Sequence, residues 1–99
     1  MANKLQYRKR NADQNQPLIV AALRACGASV VLLHDAGAGV PDLLVGYQGH
    51  TLLVEVKNPA IKGKLNARQI AWQADWLGAP VHTVFTAEEA RDILEAIRM

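Results

Sequence analysis

The chain has a single cysteine in 99 residues, and one cysteine cannot close an internal disulfide. A disulfide-stapled secreted scaffold is therefore excluded. No apolar run reaches the ~18 residues that a transmembrane helix needs, so no membrane partner is expected. The N-terminus is basic, but no apolar stretch follows it, and no secretory signal is expected. A soluble cytoplasmic protein is the resulting expectation. The formal net charge is only +2, too small to argue for a nucleic-acid partner by itself. The chain also lacks internal repeats, low-complexity segments and domain linkers. Its length suits one domain, and about half of it is hydrophobic, enough for a small core.

What is present is better read by position than by total. Lys4, Arg8, Lys9 and Arg10 crowd the first ten residues, a basic tail (1–10) ahead of a single domain (11–99). Lys57, Lys62, Lys64 and Arg68 form a second basic cluster around a loop. Clusters of this kind can follow a phosphate backbone; a solvated tail and a solvated loop are the ordinary alternatives. Cys26 lies between Ala25 and Gly27, where a small buried residue without catalytic role is expected.

A coarse reading gives helix, three strands, helix, strand, helix. Residues 17–26 suit a helix, with Pro17 in its first turn and Gly27 just past its end. Residues 28–34, "ASVVLLH", are β-branched and strand-like. Two apolar runs follow, "PDLLVGY" and "HTLLVEV", separated by Gln48-Gly49. The segment 66–77 reads as a second helix, with Asn66 and Gln69 as a capping box. A short strand lies within 79–85. Thr86 and Glu89 make a second capping box, and Ala90, Ile93, Leu94 and Ile97 line the last helix's apolar stripe.

The pair of runs carries three charges that need a reason. Side chains alternate along a strand, so Glu55 and Lys57 share a face with Leu53. A two-residue hairpin loop pairs Tyr47 with His50. Counting outward then sets Asp42 opposite Glu55 at a non-hydrogen-bonded position, where side chains come closest. Like charges directly opposite are destabilising. A divalent cation held by both carboxylates would compensate, and hard oxygen donors suit Mg²⁺ or Mn²⁺. A lysine beside them could orient water or steady a phosphate. The alternative is a solvated hairpin face without function.

The stretch "GVPDLLVGYQGHTLLVEVK" resembles the catalytic core of the PD-(D/E)XK nuclease superfamily: Pro-Asp, about a dozen residues, then Glu-x-Lys on the next strand. It is most similar to the VRR-NUC (virus-type replication-repair nuclease) domain. That family shows a G-x-PD-L strand, an L-x-EVK strand and a helix opening L-(S/T)-x-x-Q, matched here by "GVPDLLV", "LLVEVK" and "KLNARQIAW". The upstream "RNADQNQPLIVAALRACGASV" is similar to the family's first helix and strand, so the likeness spans nearly all of the chain beyond residue 10. It implies a restriction-endonuclease-like α/β fold with an αβββαβ core, a small mixed sheet flanked by helices. It also implies Asp42, Glu55 and the Val56 carbonyl as metal ligands. Lys57 would act on water or transition state, with Gln69 in support. Where the family has a glutamate in the first helix, this chain has Gln16, a weaker ligand. Asp13, one turn earlier, could substitute only if the helix began sooner, which Pro17 disfavours.

The expected activity is metal-dependent hydrolysis of DNA phosphodiesters by a homodimer, selective for branched, Holliday-junction-like DNA, in a bacterial or phage-infected cell. Lys62, Lys64, Arg68, Arg8, Lys9 and Arg10 are the expected DNA contacts. Two alternatives stand beside it: a non-catalytic DNA-binding module weakened by Gln16, and an assembly subunit whose acidic pair is structural. His34, His50 and His82 lack ligand spacing. Trp72 and Trp76, four apart on the side of Gln69, read first as core or dimer packing and second as a base-stacking surface.

Overall fold

The computed structural model describes residues 15–33, 35–58 and 65–99. Its first helix, α1, spans Asn15–Ala25 and buries Ile19, Val20 and Leu23. It starts two residues earlier than Pro17 suggests. The N–H groups of a first turn have no intrahelical partner, so Pro17 removes no bond there. Asn15 also anchors that turn: its Nδ2 donates to the Lys57 carbonyl at 2.7 Å and to the Phe85 carbonyl at 3.2 Å. The other end closes as a Schellman motif. Gly27 has φ +98°; its N–H donates to Arg24 O, and Ala28 N–H donates to Leu23 O. Cys26 occupies the cap position and is exposed, not buried as expected, because the cap turns its side chain away from the buried stripe.

Strand β1, Ser29–Leu32, points only Val30 inward. Strands β2, Leu43–Tyr47, and β3, His50–Val56, form a hairpin. Gln48 and Gly49 take φ +48° and +81°, the positive values of a type I′ turn. Tyr47 faces His50, and Leu43 faces Val54. The register is thus the one expected, and the next position outward sets Asp42 against Glu55.

Strand β4, His82–Val84, runs parallel to β3 and completes a mixed sheet ordered β1-β2-β3-β4. Parallel neighbours need a crossover, and it contains α2, Ala67–Asp75. The last helix, α3, spans Ala87–Arg98. Its Thr86–Glu89 capping box forms as expected, and Ala90 and Leu94 are buried. The fold is the expected small α/β domain, with helices on both faces of the sheet. Among the described residues, no helix is long and apolar enough to cross a membrane.

The two sheet faces differ. On one, α1 and α3 pack against each other and the sheet, and Ile19, Leu23, Leu43, Val45, Val54 and Leu94 are almost wholly buried. On the other, α2 buries no residue completely. A nine-residue helix is marginal alone, so α2 depends on its cap and on specific contacts.

One such contact is backbone against backbone. Gly39, in the loop before β2, has φ +85°, and a Cβ there would lie 2.3 Å from the Arg68 carbonyl oxygen in the first turn of α2. Gly39→Ala is therefore expected to lower the unfolding free energy by about 1–3 kcal/mol, from strain and from lifting α2 off the loop. Urea denaturation measures this; an unchanged midpoint would contradict the close approach.

Candidate active site

The site begins with the hairpin register. Glu55 is only 2% exposed, and an ionised carboxylate at such a position needs partners. Lys57 Nζ lies 3.5 Å from Glu55 Oε2. Gln69 Nε2 donates to the same oxygen at 2.5 Å. Gln69 Oε1 accepts from Lys57 Nζ at 2.6 Å. One amide thus joins the carboxylate to the ammonium and holds α2 over the hairpin.

Gln69 also serves its helix. Its Oε1 accepts from Asn66 N at 2.9 Å, while Asn66 Oδ1 accepts from Gln69 N at 2.9 Å. The sequence leaves capping and site support as alternatives for Gln69; in the fold it does both. A side chain at the third helical position reaches back past the helix start, and that start lies over β3.

Asp42 is fixed by the strand end. Its Oδ2 accepts from Val56 N at 2.8 Å. In an antiparallel strand a residue's N–H and C=O point to the same edge, so the Val56 carbonyl lies on the Asp42 edge. Asp42, Glu55 and this carbonyl are therefore neighbours, as the resemblance implies.

Glu55 titrates abnormally. Burial foremost, then the Asp42 carboxylate opposite, raises its pKa from 4.5 to about 7, against the opposing pull of Lys57. A protonated Glu55 can donate to Asp42, which also favours the acid form. The ionised form leaves Glu55 Oε1 buried without a hydrogen-bond partner. An orphaned buried carboxylate oxygen is rare, and it fits a cation. The donor set is all oxygen and hard, suited to Mg²⁺ or Mn²⁺, and Mg²⁺ commonly binds through one or two carboxylates while keeping its waters. Among the described residues there is no group of three or more His, Cys, Asp or Glu able to hold a metal. Among the described residues the site therefore offers two side-chain carboxylates, Asp42 and Glu55, with the Lys57 ammonium beside them.

The other expected residues divide. Gln16 is half-buried in the first turn of α1. That turn is tied to the Lys57 backbone through Asn15, one residue before it. Helical geometry at Gln16 removes the objection from Pro17 to an early helix start, but Asp13 lies outside the described residues. So do Arg8, Lys9, Arg10, Lys62, Lys64 and His34. Arg68 is exposed in the first turn of α2, beside Gln69. His50 is exposed and His82 half-buried. Trp72 and Trp76 are not core residues: their rings stack at 4.9 Å with 17° between planes, and Trp76 is 42% exposed.

Sequence reasoning missed two polar residues. Asn15 lies ahead of the helix expected over 17–26, and its long-range partners carry no local signal. Gln73, one turn beyond Gln69, has its Nε2 buried without a partner; its spacing from Gln69 was the available clue.

Comparison with known proteins adds nothing to these observations: no family model, curated protein or solved structure matches the chain.

The raised pKa has a definite sign in stability. Folded Glu55 holds its proton more tightly than unfolded Glu55. Its contribution is full below pH 4.5 and is lost as pH rises through about 7. Relative to Glu55→Gln, the parent should lose stability across that window, by up to about 3 kcal/mol. Chemical denaturation in chelator at stepped pH measures the gap; a constant gap would contradict the buried-carboxylate account.

Proposed function

We propose that the protein is a metal-dependent DNA endonuclease of the VRR-NUC type, working in the cytoplasm as a homodimer on branched, Holliday-junction-like DNA. The observation that carries the reading is the meeting of Asp42, Glu55, Lys57 and Gln69 at the open end of the β2–β3 hairpin. Glu55 in β3, Asp42 and Lys57 at the strand ends and Gln69 on α2, separated by up to 27 positions in the chain, are joined through hydrogen bonds and an ion pair. A solvated hairpin face would not bury a glutamate.

In this reading each residue has a role. Asp42, Glu55 and the Val56 carbonyl would hold the cation, with Gln16 as a candidate neutral ligand. When bound, Mg²⁺ or Mn²⁺ supplies positive charge against the phosphoryl oxygens and makes water a better nucleophile. Lys57 presents an ammonium beside Glu55, placed to orient the attacking water or to neutralise charge on the phosphate. Gln69 fixes the lysine's direction, so little reorganisation accompanies the chemistry. Arg68, with Lys62, Lys64 and the basic tail Arg8, Lys9 and Arg10, holds the DNA backbone.

A second reading keeps DNA binding without cleavage. It is favoured by one feature: only two side-chain carboxylates come from the described residues, with Gln16 where the family has a glutamate. Cleavage decides between the two. Asp42→Ala, Glu55→Ala and Lys57→Ala should each lower cleavage of four-way DNA in Mg²⁺ or Mn²⁺ roughly 100-fold or more. DNA binding should survive Lys57→Ala better than joint neutralisation of Lys62, Lys64 and Arg68. Parent-like cutting by the three single variants would remove the active site from this position.

The dimer is argued from uncovered apolar surface. Ile70, Trp76 and Leu77 are 56%, 42% and 97% exposed. Trp76 also rims an apolar hollow with Leu44, Leu52 and Leu53. Tryptophan is enriched at interface centres, and two copies would bring two sites to a branched substrate of matching symmetry. Light scattering at micromolar concentration should report twice the chain mass, and Trp76→Glu should return it to the monomer. A monomeric parent, with or without DNA, would contradict the assembly.

A further inference from the structure

Beside the candidate active site lies a cleft of about 500 Å³, lined by Ala38, Arg68, Ala71, Trp72 and Asp75. Its volume falls within the ~300–1,000 Å³ typical of small-ligand sites. One wall adjoins the site along α2, and the two walls meet each other. Arg68 precedes Gln69, which touches Glu55 and Lys57. Ala38 precedes Gly39, whose backbone lies against the Arg68 carbonyl.

The lining has an order along α2. Arg68, Trp72 and Asp75 recur at helical spacing on one flank, and Ala71 leaves the floor shallow. Trp72 is half-buried and backed by the stacked Trp76 ring, so its indole is held by a neighbour. Asp75 ends the helix, where the macrodipole disfavours an anion. Capping does not explain a carboxylate at that place. The cleft therefore presents a cation at the end near the active site, an aromatic surface in the middle and an acceptor at the far end.

We infer that this cleft binds one unpaired base of the DNA substrate, stacked on Trp72, with the adjoining phosphate on Arg68 and the base edge hydrogen-bonded to Asp75. The inference rests on the nuclease reading for its nucleic-acid ligand. Charge complementarity selects the occupant. An ionised Asp accepts and cannot donate, so the edge it meets must carry N–H groups. The Watson–Crick edge of guanine offers adjacent N–H donors, whereas thymine flanks its single N–H with two carbonyls. Guanine is the preferred base and thymine the poorest. A base out of the helix at a branch point or strand end is the form that can reach a surface cleft.

The test is equilibrium binding by fluorescence anisotropy in EDTA, with the full chain. The probes are short single strands of equal length that are guanine-bearing, thymine-bearing or abasic at a central run. The guanine strand should bind about tenfold tighter than the abasic strand, the range expected for base–aromatic stacking. Trp72→Ala should bring that ratio to one, and Trp72→Phe should retain most of it. Asp75→Asn should level guanine and thymine while keeping the preference over abasic DNA. Circular dichroism of each variant checks that the fold is kept, and the Phe variant guards against loss of α2. Equal binding of guanine and abasic strands by the parent overturns the base site, as does a ratio unchanged in Trp72→Ala. Because no metal is present, these outcomes are separate from cleavage. Binding to none of the strands, nor to four-way DNA, would overturn the DNA reading and this inference with it.

Discussion

Asp42 and Glu55 face each other across the open end of a hairpin, and much of the structure serves to make that tolerable. Two carboxylates at a close cross-strand pair repel. Burial of Glu55 sharpens the cost, because desolvation penalises the charge more than its neighbour does. The fold answers with Lys57 on the same face, with Gln69 bridging the two, and with the Val56 amide on Asp42. Each answer needs the register set by the type I′ turn at Gln48-Gly49. A one-residue slip would send Glu55 and Lys57 to the opposite face, into the α1 and α3 core.

The same interaction organises the second helix. With no fully buried residue, α2 cannot be held as α1 and α3 are held. It is held by the capping box, by the Gly39 backbone contact and by the Gln69 amide. Stability and site are thus divided between faces: an apolar core beneath α1 and α3, and polar attachments beneath α2. The division also leaves Ile70, Trp76 and Leu77 exposed, the surface proposed for assembly, and leaves the cleft along Arg68, Trp72 and Asp75 open.

Legibility in the sequence followed the range of the interaction. The hairpin register was legible because alternation and turn chemistry are local, and both capping boxes were legible for the same reason. Gln69 was half legible: its cap role is local, its reach to β3 is tertiary. Asn15 was not legible, since its partners lie 42 and 70 residues away. The start of α1 was misplaced because that tertiary anchor outweighs the local restriction from Pro17. Cys26 was misplaced because burial statistics for cysteine do not know the direction of a Schellman cap. Trp72 and Trp76 read first as core or dimer packing, but the weak covering of their helix leaves them stacked on each other and not in a core.

The central claim is that Asp42 and Glu55 form a cation site. It is tested most directly by titrating Mn²⁺ into the protein and counting bound ions by electron paramagnetic resonance, beside the isosteric variants Asp42→Asn and Glu55→Gln. The account predicts one Mn²⁺ per chain in the parent, displaced by excess Mg²⁺, and strongly weakened binding in either variant. Absence of bound Mn²⁺ in the parent, or equal binding in all three proteins, would contradict it.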